Sequence, residues 1–219
     1  MKEIDLKELD KVDYVLIDLW GTIFIENDKD INIDRAKILY FLIKKHDVNY
    51  WYQAINDNIR KFKKEEKKGF SIKLDDRIKG FLNDNGIIDN NYLINKIICE
   101  FDKLFIEYYQ PNVNYHLIDL IKDKKAILVS NTGLVSKKCI NKILKQKGIY
   151  DIFYKKIYSE DTILCKPNPD FINAILNSNR INLNNCIFIG DSYEMDYLPC
   201  KKLKIKCYIY DWGKNYYDV

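Results

Sequence analysis

The sequence predicts an α/β fold: a parallel sheet covered by helices on both faces, with a separate helical insert. Three observations predict it. Short runs dominated by apolar residues recur at 12–17 (VDYVLI), 125–129 (KAILV), 152–158, 186–189 (CIFI) and 205–210. Each of the first four is followed by a polar loop, and the later ones then run into helical periodicity, which is the grammar of strands buried on both faces. Between the first and second runs, about 26–110, apolar residues recur at helical spacing with little strand character.

The bulk numbers agree with such a fold. A chain of 219 residues suits one medium domain, or a core with a smaller insert. Apolar residues make up 47% and charged residues 31%, enough for a real core. The net charge is only +4, and acidic residues interrupt the lysine-rich stretch at 60–68, which reads as a solvated helix face. No nucleic-acid partner is expected. No run of 18 apolar residues exists, so no membrane span is expected either. Residues 1–11 alternate acidic, basic and apolar side chains and lack the apolar run of a signal peptide. Six widely spread cysteines with no C-x-x-C pair predict mostly buried, reduced thiols, no structural zinc and a cytoplasmic protein.

Taken in order, the first strand ends at Asp18, and Leu19-Trp20-Gly21-Thr22 follows as a loop with a glycine pivot. In the insert, Ile38, Leu39, Leu42 and Ile43 form one helical stripe. Residues 50–62 and 92–109 give two more, with turns at 67–70 and 83–86. A structureless loop of that length would be exceptional. The second strand leads to Ser130-Asn131-Thr132-Gly133 and a helix over 135–146, with Gly148 ending it. The third leads to Lys166-Pro167-Asn168-Pro169 and a helix near 170–176. The fourth leads to Gly190-Asp191-Ser192 and a helix near 194–202.

In parallel sheets, ligands bind off the carboxyl ends of the strands. All four polar loops follow strand ends, so Asp18, Ser130 with Asn131, Lys166, and Asp191 with Asp196 are expected to converge. Singly, each is an ordinary turn or cap residue. Together they suit one chemistry. A carboxylate is a competent nucleophile toward phosphorus or a polarised carbon. Phosphoryl transfer needs a cation and fixed donors, and Mg²⁺ prefers one or two carboxylates plus water and substrate oxygens. Asp18 and Asp191 are candidates for those carboxylates, Lys166 for the balancing charge, and Ser130 with the amides near Asn131 for a phosphate cradle.

Those loops, in that order, resemble the four signature loops of the haloacid dehalogenase superfamily: Asp18-Leu19-Trp20-Gly21-Thr22, Val129-Ser130-Asn131, Lys166-Pro167-Asn168-Pro169-Asp170-Phe171 and Gly190-Asp191-Ser192-Tyr193-Glu194-Met195-Asp196. The resemblance implies a Rossmann-like core over 1–24 and 111–219. It also implies a helical cap over 25–110, like the cap that closes the active site in one large branch of the family. It implies Asp18 as nucleophile and Lys166 as the orienting cation. Gly21, Thr22, Ser130 and Asn131 become phosphate or geometry holders. A Mg²⁺ site follows from Asp18, the Trp20 carbonyl, Asp191 and Asp196. A small-molecule substrate and a monomeric or homodimeric protein are expected.

One departure matters. Most phosphatases of this family carry a second aspartate two residues after the nucleophile, as acid and base. Here that position is Trp20, which can do neither job, and losing such a group typically costs about 10² to 10⁴ in rate. Three readings stay open: a Mg²⁺-dependent phosphohydrolase or phosphotransferase without the usual acid, a 2-haloacid dehalogenase with Trp20 as an aromatic wall, or a weakly catalytic binding protein. A dehalogenase would need a cationic halide cradle. The insert offers Arg35, Arg60 and Arg77 for it, and sequence marks out none. Tyr50-Trp51-Tyr52 and Tyr108-Tyr109 read as core of the insert, and His46 and His116 stand outside any metal pattern.

Overall fold

A computed structural model of the chain describes residues 6–25, 30–88, 90–109, 111–210 and 217–218. Residues 26–29 and Gln110, near the expected limits of the insert, and residues 1–5 at the expected leaderless end lie outside them. In chain order the elements are α1 (Leu6–Asp10), β1 (Tyr14–Ile17), β2 (Phe24–Ile25), α2 (Ile31–Ile43), α3 (Val48–Lys67), α4 (Leu74–Asp84) and α5 (Asn91–Tyr108). They continue as β3 (Asn112–Val113), α6 (Tyr115–Ile121), β4 (Lys125–Ser130), α7 (Lys137–Gln146), β5 (Phe153–Tyr158), α8 (Pro169–Ser178), β6 (Cys186–Gly190), α9 (Leu198–Leu203), β7 (Lys206–Ile209) and β8 (Tyr217–Asp218).

The sheet runs β5-β4-β1-β6-β7-β8. Its first five strands are parallel and β8 is antiparallel. β1 is central, with Leu16 beside Ile127 and Phe188, and Ile17 beside Leu128 and Ile189. Alternate residues of these strands enter opposite cores. Val15, Ile17, Leu128 and Ile189 pack with α6 and α7, whereas Leu16, Ile127, Val129 and Phe188 pack with α8 and Cys200 of α9. Both faces of β1, β4 and β6 are buried, which is why these strands carry no polar alternation, while the edge strand β5 exposes Tyr154 and Lys155.

Most boundaries sit within two or three residues of expectation, and the exceptions have local causes. The helix expected from 135 starts at Lys137, because the Ser136 hydroxyl caps it by accepting from the Cys139 amide. Gly148 follows it with φ +71, and the Ile149 amide reaches back to the Leu144 carbonyl, a Schellman-type end. The helix expected at 194–202 is instead a π-helical turn over Tyr193–Tyr197 that runs into α9. The short β2–β3 ribbon, paired through Phe24 with Val113, was too brief to leave a periodic signal.

Helices α2 to α5 enclose a core of their own around Leu39, Trp51, Ile55, Ile78, Leu82, Ile97 and Phe101, joined by Leu134 from the loop after β4. α4 carries no expectation above, since only its flanking turns are marked in sequence. Its Leu74, Ile78, Phe81 and Leu82 stripe fills that core. Trp51 is fully buried and its indole N–H donates to the Lys45 carbonyl at 2.8 Å, while Tyr50 is exposed. The helical layer is also tied to the sheet layer. The Cys165 amide donates to the Gly69 carbonyl at 3.1 Å, the Ser71 amide to the Ile163 carbonyl at 3.0 Å, and Lys67 pairs with Glu194 at 2.8 Å. Gly69 has φ +84, and a methyl there would overlap Asn168, so the contact requires glycine.

Candidate active site

Asp18 follows directly on β1, and its amide donates to the Ile189 carbonyl at 2.9 Å, extending the ladder by one residue. The carboxylate is thereby fixed at the sheet's carboxyl edge with only 5% of the residue exposed. The Thr22 hydroxyl donates to Asp18 Oδ2 at 3.3 Å. The Lys166 ammonium donates to Asp18 Oδ1 at 2.5 Å and to Asp196 Oδ1 at 2.7 Å. Lys166 is itself held through its backbone. Asn131 Nδ2 donates to the Lys166 carbonyl at 2.9 Å, and the Lys166 amide donates to Asn131 Oδ1 at 3.1 Å. The Asn131 side chain therefore positions the lysine. Ser130 is fully buried, and its hydroxyl donates to the Asn131 carbonyl at 3.2 Å.

Asp196 is 1% exposed and both its oxygens are engaged, Oδ1 by Lys166 and Oδ2 by the Ser192 amide at 3.0 Å. The π-helical turn carries Asp196 back against Gly190, where any Cβ would overlap the aspartate. Asp191 differs. It opens onto solvent at the cavity floor and, among the described residues, forms no ion pair. Gly21, at φ +80, lies against it, and a methyl on Gly21 would overlap Asp191 Oδ2.

One carboxylate oxygen from each of Asp18, Asp191 and Asp196 lies within 4.8 Å of the others. Three carboxylates face one ammonium, which leaves a formal charge of −2 when all are ionised. Partial burial at the cavity floor, with Asp18 and Asp196 nearby, pushes the Asp191 carboxyl up to about 7. Burial also lifts Asp18 to about 6, against the pull of Lys166. Burial alone would lower the Lys166 ammonium, but Asp18 and Asp196 outweigh it and hold it raised. Such a shortfall of positive charge, with oxygen donors only, fits a hard divalent cation.

A cavity of about 490 Å³ opens above this floor, a volume suited to a small metabolite. Trp20 lines it, edge-on to Phe24 and Phe105, with both ring centroids at 5.6 Å. The wall comes from the helical layer. On α3, Ile59, Lys63 and Glu66 follow one another at helical spacing and all reach the cavity. Tyr109 lines it too, whereas Tyr50, Trp51, Tyr52, His46 and His116 do not.

The structure corrects one expectation from sequence, that no arginine of the insert is marked out. Arg35 and Arg77 are each 5% exposed and line the cavity with Asp18, while Arg60 pairs with Asp57 on the surface. A signal existed. Arg77 occupies the apolar stripe of α4 between Leu74, Ile78 and Phe81, and Arg35 shares a face with Ala36 and Leu39.

The family model for the haloacid dehalogenase-like hydrolases matches residues 33–210, most of the chain, including the loops of Ser130, Lys166 and Asp191. The chain belongs to that family. The match begins after Asp18, so the placing of that residue rests on the geometry above. Solved structures share the fold at low identity. A haloacid dehalogenase family enzyme from Bacteroides thetaiotaomicron, in complex with magnesium and inorganic phosphate, is 19% identical, with 93% of this chain and 96% of that one covered and a TM-score of 0.58. A 2-haloacid dehalogenase from Pseudomonas syringae is 12% identical, with 93% and 90% covered and a TM-score of 0.61. An L-2-haloacid dehalogenase from Xanthobacter autotrophicus, with chloropropionic acid covalently bound, is 12% identical, with 90% and 76% covered and a TM-score of 0.54. No curated protein matches the chain in sequence. Among the described residues, no helix is long and apolar enough to cross a membrane.

Proposed function

We propose that this hydrolase is a Mg²⁺-dependent phosphohydrolase or phosphotransferase acting on a small phosphorylated metabolite, with Asp18 as its nucleophile. The observation that carries the reading is Asp191, a carboxylate without an ion-pair partner beside a second carboxylate that already holds the lysine. Expelling halide gains nothing from a second anion, whereas a divalent ion needs it. The residues that would hold Mg²⁺ are Asp18, Asp191 and the Trp20 carbonyl, with Asp196 keeping Lys166 in place. The ion would offset phosphoryl charge, leaving the protein to orient and protonate.

In this reading an Asp18 oxygen attacks phosphorus, the bond to the leaving oxygen breaks, and an aspartyl-phosphate forms. Water or an acceptor hydroxyl then cleaves it. Lys166 keeps Asp18 ionised and aimed. Thr22, fully buried with its hydroxyl on Asp18, would hold the nucleophile's geometry, the amides near Ser130 and Asn131 are the candidates to receive phosphate oxygens, and Gly21 leaves Asp191 room. Helices α2 to α5, within 25–110, act as the cap over a core formed by 1–24 and 111–219.

Trp20 offers no proton. Glu66, on the cavity wall, is the candidate acid, since burial raises its carboxyl against the pull of Arg77, Lys63 and Lys166. A second reading, 2-haloacid dehalogenation, has one observation in its favour, because Arg35 and Arg77 line the same cavity as Trp20, as a halide cradle would. Turnover of aryl phosphates, acyl phosphates and 2-haloacids, with Mg²⁺ and then with chelator, separates the two. Phosphate release that stops with chelator supports the first, and halide release that survives chelator replaces it with the second.

A further inference from the structure

The cavity has two poles. The floor holds Asp18, Asp191 and Lys166. The helical wall holds Arg35 and Arg77, two arginines each only 5% exposed. Neither forms an ion pair with any described carboxylate. Arg35 donates from Nη1 to Asn32 Oδ1 at 3.0 Å and from Nη2 to the Leu134 carbonyl at 3.3 Å, and its buried Nε has no partner. Arg77 donates from Nε to Asn58 Oδ1 at 3.4 Å and lies over the Phe62 ring, 3.9 Å from its centroid. Asn32, the Leu134 carbonyl, Asn58 and Phe62 are all neutral partners. The nearest acids are otherwise disposed. Asp102, near Arg35, accepts from the amide and hydroxyl of Ser136, and Glu66, near Arg77, is a carboxyl whose charge burial disfavours.

Unpaired buried cations are costly. Burial, together with the charge of Arg77, pushes Arg35 down to about 10, and burial brings Arg77 to about 10 despite Glu66. Buried charge is ordinarily paired. Here no described residue supplies the pairing group, and the unpartnered guanidinium edge belongs to a residue that lines the substrate cavity. Lys63 adds a third cation to the same wall.

We propose that Arg35 and Arg77 form a second anion site, and that the substrate carries, besides the phosphoryl group attacked by Asp18, a further carboxylate or phosphate that these two arginines bind. This rests on the phosphohydrolase reading. The substrate is therefore a phosphorylated acid or a bisphosphate, and phosphomonoesters with one anionic pole are poor substrates. Guanidinium forks suit both candidate groups, and their charge-assisted bonds are strong where water is excluded.

The test is binding, measured by calorimetry on the whole protein with Mg²⁺. The probes are phosphonoacetate, phosphonopropionate and phosphonobutyrate, each against the alkylphosphonate of matching length, with malonate as a phosphate-free control. At least one two-pole probe should bind tighter than its partner by on the order of tenfold to a hundredfold. Arg35→Gln and Arg77→Gln should each close most of that gap and leave alkylphosphonate binding unchanged. Their melting temperatures should hold or rise, since each removes a buried unpaired charge, so a loss of binding is not a loss of fold. Equal binding of matched probes at every length, or a gap that survives both substitutions, overturns the proposal. Arginine-dependent binding of malonate with no phosphonate binding would overturn the phosphoryl reading and leave the second anion site standing.

Discussion

Asn131 grips Lys166 by its backbone, accepting from its amide at 3.1 Å and donating to its carbonyl at 2.9 Å. The loop after β4 thereby sets the position of a cation that enters from the loop before α8. Its ammonium lies between Asp18 and Asp196, and all three residues are at most 5% exposed. Much of the expected behaviour follows from that arrangement.

Replacing Lys166 by Met would leave two buried carboxylates facing each other. Breaking a buried ion pair on one side costs about 3–5 kcal/mol. Urea unfolding of Lys166→Met should show a loss of that order at pH 8 and a smaller one at pH 5, where carboxyl protonation relieves the repulsion. An equal loss at both pH values would remove the electrostatic explanation.

Asn131→Ala should act on the same lysine indirectly. It deletes both backbone contacts while leaving every charge in place. Turnover should fall by about 10-fold or more, since small displacements of a catalytic group are expensive, with the metal-binding response intact. An unchanged rate would show that the loop before α8 positions Lys166 unaided.

The metal response should depend on pH with a defined sign. Asp18 at about 6 and Asp191 at about 7 are raised above their ordinary 3.8. Their contribution to stability is fully present below 3.8 and is lost as pH rises through 6 and 7. The metal-free protein should lose stability from these groups between pH 5 and pH 8. Mg²⁺ should raise the melting temperature more at pH 8 than at pH 5, where protons compete for the same oxygens. Scanning calorimetry with Mg²⁺ and with chelator at both pH values checks this.

The missing acid can be restored or removed. Trp20→Asp should raise turnover of alkyl phosphates if the absent proton donor limits the rate, up to the 10² to 10⁴ range of such groups. Glu66→Gln should slow alkyl phosphates and spare acyl phosphates, whose leaving group needs no proton. No change in either variant, compared by steady-state kinetics on both substrate types, would place the acid elsewhere.

The sheet and most of its catalytic floor were legible because the loops after β1, β4 and β6 follow strands buried on two faces, which announce themselves by apolar runs, whereas the loop of Lys166 follows the partly exposed edge strand β5. Asp18, Lys166 and Asp191 could be read as convergent because all three follow strand ends. The wall was not legible. Helical periodicity in α2 marked a stripe through Ile38, Leu39, Leu42 and Ile43, all of which pack in the helical core, but that helix is apolar around much of its circumference. Its inward face is Arg35, Ala36 and Leu39, while Phe41 is 71% exposed. Arg35 shares the Ala36 and Leu39 face, but in a helix apolar on several faces that signal is easily taken for a solvent-exposed arginine. Asp196 was placed with the metal, and sequence could not show that both its oxygens are committed, because the π-helical turn over Tyr193–Tyr197 changes which residues face Gly190.

The central claim is that the Asp18 carboxylate attacks phosphorus with the help of a divalent cation. Intact-protein and peptide mass spectrometry after brief exposure to an acyl phosphate tests it most directly. A phosphoryl adduct on Asp18 is expected that requires Mg²⁺, is discharged by hydroxylamine and is absent from Asp18→Asn. A carbon-skeleton adduct on Asp18 from a 2-haloacid, formed equally well in chelator, with no phosphoryl adduct under any condition, would contradict it.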